Sequence, residues 1–399
     1  MTAAETKGEL LNRPLVVIYL SILFCMFDVA SMPVFVGGYV DILGFTVEKA
    51  GRIASAEMIA AAVGSVMASL FLSRPGVNLR RVIVVCILVK ALMQVVSGTV
   101  DQWVVFGGAR VISGLTSGLV SSTATVYVAS LRKPDRAFAI CFGLLSVIGP
   151  LGLWFVPSLM ASIGLSNVFL LFAASLVLSL LVLRYYPSTV ETGRARQVDT
   201  AEPVASHSLI GVVLLLSAVL LNFICNGGIW IYAERIGAVA GFNMIDLGHL
   251  LSVAMLLGVS GTVLVSIVED RFGRLLPLVL SHVTLCASIL WLYLEPGRTG
   301  YFVAITVLNM STVIVMPYFL SSLAMAKGIG PRAAVMGNAA SMIGYGFGPG
   351  VLSFFVSDTG FEAAFIVAGS GVILSLILTV GALMLLVRDK RDAAPAIVH

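Results

Sequence analysis

The sequence predicts an all-α membrane protein of twelve transmembrane helices in two pseudo-symmetric six-helix bundles. Three observations carry this reading. The 399-residue chain is 59% hydrophobic and only 11% charged, with mean hydropathy +1.05, whereas a soluble globular chain carries about a quarter charged residues. Its apolar residues gather into runs close to the ~20 residues that a helix needs to cross a hydrocarbon core. Its 24 lysines and arginines also alternate between connections: with the N-terminus inside, 18 fall in cytoplasmic segments, 4 in outer segments and 2 within spans. That bias is the one expected of short loops around membrane helices.

The elements follow in order. Span one (14–39) comes after a short polar start and is too long for a signal-peptide core. Span two (50–72) sets Ala54, Glu57, Ala61, Gly64 and Ala68 on one face, a small-residue surface suited to close helix packing. Span three (80–100) opens at Arg80 and Arg81 and carries the polar stripe Lys90, Gln94, Ser97. Span four (103–131) holds ARVISGLTSG, and span five (137–160) holds IGPLG. Span six (165–186) ends before the longest polar stretch, Pro187 to His207. This stretch divides an N-terminal bundle, 1–187, from a C-terminal bundle, 208–399, through a cytoplasmic linker, 188–207. A short cytoplasmic tail closes the chain.

Span seven (208–233) places Asn222, Asn226 and Trp230 four apart, interrupted by Gly227 and Gly228. Span eight (245–268) runs into EDRFGR, and span nine (275–294) is apolar but for a few small polar residues and His282. Span ten (299–325) contains Asn309; span eleven (333–356) contains Asn338, Tyr345 and GYGFGPG; span twelve (362–387) is apolar up to Arg388. The halves echo each other at about 194–200 residues: Arg136 and Arg332 open matching helices, and IGPLG matches FGPG. Internal repeats of this kind characterise secondary transporters, whose site lies between the repeats near the bilayer midplane.

On these residues the chain resembles the major facilitator superfamily over nearly its whole length. EDRFGR, with Glu269, Asp270, Arg271, Gly273 and Arg274, is similar to that family's cytoplasmic loop signature. The resemblance implies a latch in which arginines pair with carboxylates and with helix C-terminal carbonyls. The first-half counterpart, SRPGVNLRR, has arginines but no acid. Arg110, Gly114 and Gly118 resemble the fourth-helix pattern associated with proton-coupled members. GPLG resembles the antiporter motif of the fifth helix, but Leu153 and Trp154 follow where small residues belong, which weighs against efflux.

Charges inside the membrane are few. Asp28 and Glu57 are the acids well inside spans, and Lys90 and Arg110 the bases. All lie in the first half; the second half offers neutral Asn222, Asn226, Asn309, Asn338 and Tyr345. An intramembrane carboxylate costs about 2.5–3.5 kcal/mol on insertion scales and marks ion or substrate paths. Asp28 lies roughly 21 Å along its helix at 1.5 Å per residue, just outward of the midplane. The family geometry implied by the resemblance sets helices one and four against the central cavity. The expected proton-coupling set is Asp28, Glu57 and Arg110. Asp28 loads and releases as its distance to Arg110 changes; the bland alternative is a fixed ion pair holding helices in register. Glu57 is equally readable as a packed structural acid. Lys90 reads as neutralising a carboxylate somewhat more readily than as a substrate contact.

Candidate substrate contacts are Arg110, Lys90, Asn222, Asn226, Trp230, Asn309, Asn338 and Tyr345, with interhelical hydrogen bonding the competing role for the span-seven amides. The five cysteines form no CxxC pair, and His249 and His282 lack metal-ligand spacing, so neither metal nor cofactor is expected. No HExxH, GxSxG or phosphate loop is present, which argues against an enzyme.

The expected function is proton-coupled secondary transport of a small anionic, zwitterionic or polar aromatic metabolite by alternating access, with uptake (symport) favoured. A drug/proton antiporter is the alternative, and a transport-inactive membrane receptor a further one. The expected partners are a small-molecule substrate, protons and the lipid bilayer, with no nucleic acid, for a chain working as a monomer. The expected location is the bacterial inner (plasma) membrane, with both termini cytoplasmic.

Overall fold

A computed structural model describes residues 13–72, 77–129, 134–187, 206–268, 273–294, 297–326, 329–357 and 360–392. Among them the protein is helical, with one isolated β-bridge, Ser357 to Gly360. Ten helices are long and apolar enough to cross a membrane. The shorter apolar Leu165–Ser179 and the 23-residue Gly330–Leu352 supply the other two spans. Large apolar side chains such as Leu178, Leu181, Ile366, Ile377 and Met384 face outward, as a surface solvated by lipid requires.

By contact, the chain divides into two compact units: Met1–Gln197 with Asn243–Ser252, and Val198–Phe242 with Val253–His399. The stretch 188–205 of the expected linker lies outside the described residues, as do Glu269, Asp270 and Arg271 of the expected latch.

The first unit holds α1 (Arg13–Ala30), α2 (Met32–Asp41), α3 (Val47–Leu72), α4 (Leu79–Thr99), α5 (Trp103–Ala129), α6 (Pro134–Ile163) and α7 (Leu165–Ser179). The single span expected over 14–39 is two helices. Pro33 has no N–H and its ring crowds the carbonyl four residues back, so the chain breaks at Ser31, whose Oγ donates to the Phe27 carbonyl at 2.9 Å. The break falls three residues beyond Asp28.

Helices α3 and α5 lie in backbone contact. A Cβ at Gly114 would fall on the Glu57 carbonyl, one at Gly118 on the Ala61 carbonyl, and one at Gly64 on the Leu115 carbonyl. The small-residue face read on span two is therefore matched by glycines of span four at i and i+4. This approach decides the site, because it brings Arg110, one turn before Gly114, against Glu57. Below the charged level, toward the start of α1, lies an aliphatic core including Ile18, Cys25, Ile83, Ile87, Val120 and Leu176. Above it Phe35, Tyr39, Phe106 and Phe169, all fully buried, form an aromatic layer with ring centroids 5.0–6.4 Å apart.

The second unit holds α8 (Ser206–Ile231), α9 (Ala233–Val239), α10 (Met244–Gly258, of which Val253–Gly258 belong to this unit), α11 (Ser260–Val268), α12 (Leu275–Tyr293), α13 (Arg298–Leu323), α14 (Gly330–Leu352) and α15 (Glu362–Asp392). Span eight is likewise broken, at Val259. Helix α8 is continuous through Gly227 and Gly228, which do not interrupt it: they give α14 room, Gly227 against Tyr345 and Gly228 against Leu352. His282 sits well inside α12. It contacts the Leu278 carbonyl through Nδ1 at 2.7 Å and Ser375 Oγ through Nε2 at 3.1 Å, while Ser375 donates to the Ala218 carbonyl at 2.8 Å. It ties α12 to α15 and α8.

Candidate functional site

The four charged residues read from the first half meet in one buried cluster. Asp28 comes from α1, Glu57 from α3, Lys90 from α4 and Arg110 from α5, and none is more than 1% exposed. Asp28 is the hub. Its Oδ2 accepts from Lys90 Nζ at 2.9 Å, Gln94 Nε2 at 2.8 Å and Arg110 Nη2 at 2.8 Å. Its Oδ1 accepts from Lys90 Nζ at 3.1 Å and the Val29 N–H at 3.0 Å.

Arg110 uses its whole fork. Nε donates to Glu57 Oε2 at 2.9 Å, Nη2 to Glu57 Oε1 and to Asp28, and Nη1 to Gln94 Oε1 at 2.9 Å. Its Cζ lies 5.3 Å from the Phe169 ring centroid, a cation–π contact on the aromatic side. Gln94 thus donates to Asp28 and accepts from Arg110. Lys90 also reaches Ser113 Oγ at 3.0 Å and Ser117 Oγ at 2.8 Å.

The arrangement obeys a simple constraint. Buried charges are tolerated when they are paired and their remaining donors and acceptors are satisfied. Two acids and two bases make the cluster neutral, and the amide and hydroxyls absorb the leftover valences. Removing any one charge leaves an uncompensated charge in a sealed place. Glu57→Gln is accordingly expected to keep its contact with Arg110 but to lower the stability of the purified protein by about 3–5 kcal/mol, the usual consequence of breaking a buried pair. Thermal unfolding in detergent measures it, and an unchanged midpoint would show that the pair contributes nothing.

The sequence stripe Lys90–Gln94–Ser97 is resolved into two parts: Lys90 and Gln94 join the cluster, while Ser97, though buried, makes no hydrogen bond. Lys90 takes the neutralising position beside a carboxylate. Ser113 and Ser117 were not singled out in the sequence, although they lie at i+3 and i+7 from Arg110 and share its helix face.

The second-half residues do not gather in the same way. Asn222 and Asn226 are both 1% exposed. Asn226 donates to Thr312 Oγ1 across to α13, but among the described residues neither the oxygen nor the nitrogen of the Asn222 amide has a hydrogen-bond partner. Trp230 is buried, Asn309 bonds back to the Ile305 carbonyl at 2.9 Å, Tyr345 is half-buried against Gly227, and Asn338 is exposed.

Buried charge also occurs in the second unit, just past span seven. Glu234 and Arg235, on α9 just past span seven, are 0% and 7% exposed, and Arg235 donates to Glu234 through Nε at 2.7 Å and Nη2 at 3.0 Å. The flanking apolar residues Ile231, Tyr232, Ala233 and Ile236 were the available signal that the chain re-enters a packed environment.

Comparison with known proteins bears on the family and the fold. The profile of the Major Facilitator Superfamily matches residues 18–339. Among solved structures, the chain is similar to the nucleoside transporter NupG at 12% identity, with 93% of this chain and 99% of that chain covered and a TM-score of 0.74. It is similar to a bacterial homologue of the human lysosomal transporter Spinster, inward-facing and unoccupied, at 14% identity, 96% and 98% coverage and a TM-score of 0.71. It is also similar to the peptide transporter POT, in a single-substitution variant, at 12% identity, 93% and 94% coverage and a TM-score of 0.72. At these identities the likeness is one of fold. No curated protein matches the chain in sequence.

Proposed function

The chain belongs to the Major Facilitator Superfamily, and on that premise we propose that it is a proton-coupled secondary transporter of a small organic solute, working by alternating access in the plasma membrane. The observation that carries this is the Asp28–Arg110 contact, 2.8 Å, buried between membrane-spanning helices α1 and α5. A carboxylate held there at a cost must do something a neutral residue cannot. Binding a proton on Asp28 removes its attraction for Lys90 and Arg110. Losing that proton restores the attraction. A change in helix packing that separates the partners therefore favours proton uptake, and one that joins them favours release. Glu57 remains on Arg110 throughout and keeps the guanidinium oriented when Asp28 is neutral.

The solute reading rests on different residues. The partnerless Asn222 amide offers one donor group and one acceptor, and an unpaired buried amide costs about 1–3 kcal/mol unless something pairs with it. With Asn226, Trp230 and Tyr345 it suits a polar or aromatic organic molecule. The named cargo classes of the similar structures, nucleosides and peptides, are of that kind. Arg110 and Lys90 become available to an anionic solute once Asp28 is protonated. Uptake by symport is the favoured direction. Both termini are assigned to the cytoplasm by the lysine and arginine bias, and the bundles 1–187 and 208–399 are assigned as the two moving halves.

The test is flux in proteoliposomes containing a pH dye, with organic acids, vitamins, amino acids, nucleosides and cationic drugs added singly. A solute that moves protons through wild type is expected to move none through Asp28→Asn. Solute flux without protons, unchanged in Asp28→Asn, would sink the mechanism and leave Asp28 a structural acid. A response confined to cationic drugs, with protons moving opposite to drug, would establish the antiporter reading instead.

A further inference from the structure

The Lys90 ammonium sits in an oxygen cage that has the make-up of a cation site. Four oxygens from three side chains surround Nζ: Asp28 Oδ1 at 3.1 Å, Asp28 Oδ2 at 2.9 Å, Ser113 Oγ at 3.0 Å and Ser117 Oγ at 2.8 Å. All three residues and Lys90 itself are at most 1% exposed. Ser117 Oγ also lies 2.9 Å from the Cys25 carbonyl and 3.0 Å from the Ser113 carbonyl, so its proton points at a carbonyl and its lone pairs are left for the ammonium. A carboxylate, hydroxyls and nearby carbonyls are the oxygen ligands that hard cations take. An ammonium has three protons to share among these four oxygens, so one proton must be shared between two of them.

We propose that Lys90 is the ion-selectivity residue of this cluster. Its tethered ammonium fills a monovalent-cation site formed by Asp28, Ser113 and Ser117, and so excludes sodium and lithium from a centre left to protons alone. The physiological meaning rests on the proton-coupled reading above. The site itself does not, because it can be tested without transport. The charge balance gives the sign. With Lys90 removed, Asp28 and Glu57 face Arg110 alone, and the cluster carries one negative charge in the volume the lysine chain vacates. A small monovalent cation restores both neutrality and the oxygen contacts.

The experiment is thermal unfolding of purified Lys90→Ala in detergent, in sodium, lithium or choline chloride at fixed pH and ionic strength. Sodium or lithium is expected to raise the Lys90→Ala midpoint saturably by several degrees over choline, while wild type gives the same midpoint in all three salts. Adding Ser113→Ala and Ser117→Ala to Lys90→Ala is expected to abolish the response. Lys90→Met, which keeps much of the chain's volume and leaves no room for an ion, controls for packing and is expected to ignore all three salts. The proposal is overturned if Lys90→Ala is indifferent to sodium and lithium. It is equally overturned if only added protons stabilise the variant, if wild type responds as strongly, or if Lys90→Met folds while Lys90→Ala is recovered in none of the salts. A failure here leaves the proteoliposome result standing, and a failure there leaves this one standing.

Discussion

Replacing Arg110 with lysine is expected to cut the proposed proton-driven transport at least a hundredfold, although the charge is unchanged. The reason is geometric. The guanidinium spans three partners at once: both oxygens of Glu57, Oδ2 of Asp28 and Oε1 of Gln94. Its planar fork holds them in one arrangement, whereas an ammonium is a point charge on a flexible stem. A lysine at 110 can remain on Glu57 or reach Asp28, and it cannot hold the two acids at a defined separation. The proposed mechanism depends on that separation, since in it the separation sets how strongly Asp28 holds its proton. A hundredfold loss corresponds to about 2.7 kcal/mol, comparable with losing one or two charge-assisted hydrogen bonds at ~1.5–3 kcal/mol each. Initial rates in proteoliposomes, normalised to reconstituted protein, measure it. Rates within threefold of wild type would show that charge alone suffices and that the fork has no role in coupling.

Gly118→Val is expected to leave almost no folded protein. A Cβ at this position lands on the carbonyl of Ala61 and within 2.9 Å of the Ser65 nitrogen, so the obstacle is backbone and cannot rotate away. Overpacking a core costs typically ~1–3 kcal/mol when side chains can shift. Here α3 itself must move, and moving it separates Glu57 from Arg110. The defect in packing therefore becomes an uncompensated charge as well. Gly143→Ala is the matching control, because a Cβ there meets nothing within 4 Å among the described residues. Monodisperse protein after detergent extraction is the readout. Wild-type recovery of Gly118→Val would mean that α3 and α5 have slack the structure does not show.

The two expectations share a cause that the sequence shows only in pieces. Arg110, Gly114 and Gly118 recur every four residues, as do Glu57, Ala61 and Ser65, and that periodicity is enough to put each set on one helix face. It does not say that the faces meet. The same limit hides the burial of the Glu234–Arg235 pair. An acid and a base side by side at the end of an apolar run look the same whether water or protein surrounds them. It also explains Gly227 and Gly228, which interrupt a hydrophobic pattern in the sequence but not the helix, because what they provide is room for Tyr345 and Leu352.

Composition and pattern alone establish the class of the molecule and the inventory of its costly residues. Hydropathy runs and the placement of lysine and arginine depend on the solvent a segment sees, and bilayer and water differ enough to write that into composition. A charge inside a span stands out for the same reason. What only the tertiary structure decided is how those charges are partnered: Lys90 on Asp28 with Ser113 and Ser117, Arg110 bridging both acids, and an aromatic layer closing the cluster. Residues 28, 57, 90 and 110 belong to four helices, and their contacts are set by interhelical packing that no spacing along one helix encodes. Hydrogen bonds weaken within a few tenths of an ångström of their preferred geometry, so they are decided at the scale where helix faces interlock.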